Sequence, residues 1–91
     1  MTIEDCKDKL EVAFYENFLN HGSNGVVTGT DLRRFSEREK FPSGVVEVAL
    51  GQLITKGTIS RIYNVLDQEA KYRMNLSAFE TIQTALENDT D

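Results

Sequence analysis

The chain has a single cysteine, Cys6, a single proline, Pro42, and a single histidine, His21, among its 91 residues. One thiol excludes an intramolecular disulfide, so nothing here asks for an oxidising compartment. No Cys/His cluster stands at metal-ligand spacing, and neither a metal nor a cofactor is expected. Cys6 falls on an apolar helical row and reads as a small core residue. His21 falls in a last helical turn, where a cation suits the helix dipole. No apolar run approaches the roughly 20 residues of a membrane-spanning helix. The start is acidic soon after Met1 and lacks the basic-then-apolar order of a signal peptide, so a cytoplasmic protein without membrane contact is expected. Gly22–Gly29 is not followed by Lys-Ser/Thr and makes no phosphate-binding loop. The carboxylates lie on helical segments with no paired context and read as solubilising surface. Nothing points to an enzyme.

What remains is an ordinary globular composition. Hydrophobic residues are 40%, charged residues 27%, and five Phe and three Tyr supply core volume. One domain over 1–91 is expected, ending in a frayed tail at 88–91. So short a chain buries a modest share of its surface, and dimerisation is a common remedy. The net charge of −5 is unevenly spread. Residues 1–16 carry five acids and two bases, and residues 80–91 carry four acids and no base. The centre, 17–79, carries eight bases against six acids. A partner meets this local field, because charges beyond roughly 8–10 Å are largely screened at working salt.

The periodicity predicts a helix over 2–21, capped by Thr2 with Asp5 three places on and ended by Gly22. Its core row is Ile3, Cys6, Leu10, Ala13, Phe14 and Phe18. A short extended piece follows at Val26–Val27. A second helix over 30–38 has Thr28 or Thr30 as its cap and buries Leu32 and Phe35. Pro42 interrupts the chain and pushes Phe41 towards an extended conformation. A third helix over 43–56 starts at Ser43 as N-cap, buries Val46, Ala49, Leu50, Leu53 and Ile54, and stops at Gly57. The period then changes. Thr58–Val65 has strand propensity, Asp67–Glu69 breaks it, and Lys71–Leu76 alternates with Tyr72, Met74 and Leu76 on one face. The last segment, 77–88, carries a capping-box pattern at Ser77 and Glu80 and an apolar stripe of Phe79, Ile82 and Leu86.

The fold class is therefore α+β and mostly helical, in the order helix, short strand, helix, helix, β-hairpin, helix. That order resembles the winged helix-turn-helix superfamily. Its most specific stretch is Ser43–Arg61, SGVVEVALGQLITKGTISR, which resembles a recognition helix running into a first wing strand. Val27-Thr28-Gly29-Thr30-Asp31-Leu32 resembles the short strand and capped second helix. The resemblance implies a small DNA-binding transcriptional regulator, with helix 43–56 in the major groove of double-stranded DNA and the wing, 58–76, on the backbone. It implies base-reading positions at Ser43, Val45, Glu47, Val48, Gln52 and Thr55, with Gly44 and Gly51 on the same face. It implies phosphate contacts from Arg33, Arg34, Lys40, Lys56, Arg61, Lys71 and Arg73.

The outward face of the third helix has no base before Lys56, and it carries Glu47 and two valines. A winged-helix protein–protein interaction module, an accessory or inhibitor protein that does not bind DNA, is the alternative reading. Helix 1 has a second apolar row, Val12, Tyr15 and Leu19, and the last helix adds Ala78 and Ala85. A helix apolar on two sides is deeply buried or packs on a partner. These five residues fit a homodimer through the terminal helices, or side chains wrapping the monomer core.

Overall fold

The computed structural model describes residues 2–22, 25–62 and 69–88. Four helices and a small antiparallel sheet follow in the order α1 (Ile3–His21), β1 (Val27–Thr28), α2 (Gly29–Glu39), α3 (Ser43–Lys56), β2 (Ile59–Ile62), β3 (Lys71–Met74) and α4 (Leu76–Asn88). The architecture is α+β and mostly helical. No helix among the described residues is long and apolar enough to cross a membrane.

Local chemistry sets most of the boundaries. Thr2 is extended, and its hydroxyl accepts the Asp5 amide at 3.1 Å. Glu4 and Asp5 in the first turn and His21 in the last complement the helix dipole. Gly22, at φ 69°, ends α1 by donating its amide to the Phe18 carbonyl. The short strand is Val27–Thr28, one residue later than the expected Val26–Val27. Thr28 pairs with Lys71 and also caps α2, in a reciprocal box with Asp31. That box starts α2 at Gly29, one residue earlier than expected. Lys40 closes it in the left-handed region at φ 60°, the only described non-glycine residue with positive φ.

Two expected caps are placed differently. Pro42, not Ser43, is the N-cap of α3, and no side chain caps that end. The Pro42 carbonyl takes the amides of both Val45 and Val46, so the helix spans 43–56 as expected but Ser43 is its first helical residue and not its cap. Ser77 likewise lies inside α4, its carbonyl accepting the Thr81 hydroxyl at 2.9 Å. Helix α4 starts at Leu76 because β3 ends at Met74 and the next residue turns inward. The Asn75 side chain donates to the Gly57 carbonyl at 2.6 Å and accepts from the Ser60 hydroxyl at 2.5 Å. Leu76 therefore leaves the strand alternation and stands exposed, not on the core face.

The sheet order is β1-β3-β2. Cross-strand partners share a face. Val27, Tyr72 and Arg61 therefore lie on one side with Ile59 and Met74, and Ser60, Arg73, Ile62 and Lys71 lie on the other. The expected strand beyond Ile62, to Val65, and most of the connection that follows lie outside the described residues. The core joins Cys6, Leu10 and Phe14 of α1, Phe35 and Phe41, and Val46, Ala49, Leu50 and Leu53 of α3 to Ile59 and Met74. Ile3 is exposed, although its spacing matched the core row. Helix α4 has no buried residue and is anchored by stacking. The Phe79 ring lies 4.2 Å from that of Phe18 and 5.0 Å from that of Tyr15.

Candidate nucleic-acid interface

The buried stripe of α3 leaves its other side facing solvent. Ser43, Gly44, Glu47, Val48, Gly51, Gln52 and Thr55 are all exposed there, and Val48 retains 46% of its surface. A side chain built at Gly44 or Gly51 would meet nothing within 4 Å, so another surface can approach this face closely. Val45 is half-buried and packs against the core instead. From Ser43 to Thr55 the face offers hydroxyls, one amide, one carboxylate and no base. Lys56 follows at the last turn, with its Nζ 3.9 Å from Oε1 of Glu11.

The bases of α2 divide between two faces. Arg33 and Lys40 line a groove of about 620 Å³ between α2 and α3, together with Ser43, Glu47 and Glu37. Arg34 and Arg38 line a cleft on the opposite side, against Asn17, Asn20 and His21 of α1. Arg38 also lies over the Phe35 ring, 5.9 Å from its centroid. One residue along a helix is about 100° of rotation, which is why neighbours in sequence part company. The sheet separates its bases in the same way. Arg61 lies on the side that carries Tyr72, a residue of the α2–α3 groove, whereas Lys71 and Arg73 lie on the reverse side. The fold thus brings Arg33, Lys40, Ser43 and Glu47 together. It places Arg34, Lys71 and Arg73 elsewhere.

Two residues shape this region without any signal in the local sequence. Glu69 reaches the N-terminal turn of α2, where Oε1 accepts the Thr30 amide at 2.6 Å and the Thr30 hydroxyl. These hydrogen bonds, the hydroxyl's foremost, hold the Glu69 carboxyl below the usual range. The chain's own carboxylate thus occupies the helix terminus that would otherwise attract an external anion. Asn75, by bridging Gly57 and Ser60, fixes where the sheet hands over to α4. Thr30, the partner of Glu69, and Gly57 and Ser60, the partners of Asn75, are remote in sequence, so spacing alone does not reveal them.

Cys6 is fully buried, and burial pushes its thiol up from the ordinary value. No three of the described His, Cys, Asp and Glu side chains are grouped to hold a metal ion. Among the residues considered for pairing two chains, Val12, Leu19 and Ala85 are exposed, while Tyr15 and Ala78 are half-buried against the body. Comparison with known proteins gives no match, whether to a family model, a curated protein or a solved structure.

Proposed function

We propose that the chain is a winged helix-turn-helix DNA-binding regulator, with α3 in the major groove and the β2–β3 pair against the flanking backbone. The observation that carries this reading is the shared groove of Arg33, Lys40 and the first turn of α3 beside an exposed face running to Thr55. Two cations at the entry of an exposed helix suit a phosphate strand bordering the groove. The order of helices and the sheet order β1-β3-β2 also support it. Gln52 supplies an amide for adenine, and Ser43, freed from capping, supplies a hydroxyl for phosphate or base. Glu37 and Glu47 lower the potential of the same groove, so affinity should be modest, while the contacts of Arg33 and Lys40 make it fall as salt rises.

The test is fluorescence anisotropy with a labelled random duplex, titrated from low to physiological salt. Binding that falls as salt rises is expected. Arg33→Ala and Lys40→Ala should weaken it on every sequence and flatten the salt dependence, while Gln52→Ala should relax sequence preference. Absence of binding at low salt would end this reading.

The second reading is a protein-interaction module of the same shape. Val48, nearly half exposed beside Glu47 on a face with no base before Lys56, favours it. It expects no salt-sensitive DNA binding and a partner footprint on Val48 and Gln52.

A further inference from the structure

Helix α1 is apolar on two opposite sides. Its core row is Cys6, Leu10 and Phe14, all buried. Val12 follows Leu10 by two residues, which is about 200° round the helix, so Val12 and Leu19 form an outer row facing away from the buried one, with the half-buried Tyr15 between them stacked on Phe79. Ile82 and Leu86 of α4 meet that row across an open groove of about 500 Å³. Val12 and Leu19 keep 55% and 53% of their surface and Leu86 keeps 48%, values that mark an uncovered apolar floor. The row from Val12 to Leu19 rises about 10 Å, two helical turns, which matches a partner stripe at i, i+4 and i+7.

The rim has one sign. Asp8, Glu11 and Glu16 line the groove, and no lysine or arginine does. Lys56 offsets Glu11 in part, at 3.9 Å. On the other wall, α4 contains Glu80 and Glu87 and no base. A second copy docking by two-fold symmetry would bring this acidic rim against itself, because such an interface pairs the same patch with itself. Like charges facing each other disfavour that occupant. We propose that the α1–α4 groove docks a basic amphipathic helix of another protein, with apolar side chains on the floor and lysines or arginines on the acidic rim. This site lies apart from the exposed face of α3, and the proposal stands whichever ligand that face takes.

The probe is a labelled helical peptide with leucine at i, i+4 and i+7 and flanking lysines, followed by fluorescence anisotropy on the full chain. The expected result is binding that weakens about tenfold when the lysines become glutamates, the scale of a few exposed ion pairs. Leu19→Ser and Val12→Ser, both at exposed positions, should each weaken binding while leaving the thermal melt unchanged. Asp8→Lys combined with Glu16→Lys should reverse the preference towards the glutamate peptide. Equal binding of a scrambled peptide of the same composition would overturn the proposal, since that result needs no groove. Sedimentation showing a wild-type dimer that Leu19→Ser dissociates would also overturn it, by assigning the groove to a second copy.

Discussion

Phe79→Ala should release α4 from the body while leaving the other helices folded. Phe79 is half-buried, and its ring stacks on both Phe18 and Tyr15. Half the burial of a phenylalanine side chain contributes about 1.5 kcal/mol. Two stacked pairs add roughly 0.5 kcal/mol each beyond that area, for a total near 2–3 kcal/mol. No residue of α4 is fully buried, and beside Phe79 only Ala78 and Ile82 pack partly against the core, so the Phe79 stack is the main attachment of the helix. A helix of 13 residues is marginal by itself in water. The loss should therefore be local. Native-state hydrogen exchange would show α4 amides losing protection while amides of α3 keep theirs. The groove peptide should also fail to bind, since α4 forms one of its walls. Retained protection along α4 in Phe79→Ala, with an unchanged urea midpoint, would refute the reasoning. It would mean that Ile82 and the helix backbone suffice to hold it.

Leu53 is fully buried in α3, and Leu53→Ala should cost about 3 kcal/mol, read globally as a lower urea midpoint for every probe. Asn75→Ala removes the bonds to Gly57 and Ser60, should cost roughly 1–2 kcal/mol, and should shift NMR resonances at Ser60 and Gly57. Glu69 has a folded-state pKa below its ordinary value of 4.5, so its contribution is complete above about that pH and is lost as pH falls through the lower folded value. Denaturation curves should therefore show a smaller acid-side loss of stability in Glu69→Gln than in the wild type, and parallel losses would exclude the Thr30 contact. Cys6, buried with a raised pKa, should react with a thiol reagent only as fast as the chain unfolds, whereas fast labelling of the native protein would contradict its burial.

The sequence by itself determined the features whose physics is confined to a few neighbouring residues. Thr2 with Asp5, Thr28 with Asp31, and the positive-φ glycines Gly22 and Gly57 act within one turn of the helix they end or begin, so helices α1 to α3 were legible almost to the residue. The stripe of Val46, Ala49, Leu50 and Leu53 was legible for the same reason, because helical periodicity fixes one face whatever lies opposite. Tertiary structure decided which bases meet. Arg33 and Arg34 are adjacent in sequence, yet they face different grooves because α3 packs on one side of α2 and α1 borders the other. The strand register decided that Arg61 and Arg73 lie on opposite sides of the sheet, although both read as bases of a single wing. Glu69 reaches Thr30 across 39 residues, and Asn75 ends its strand for partners 15 and 18 residues away. These contacts depend on where distant segments are brought by burial of a shared core, and no window along the chain contains both partners.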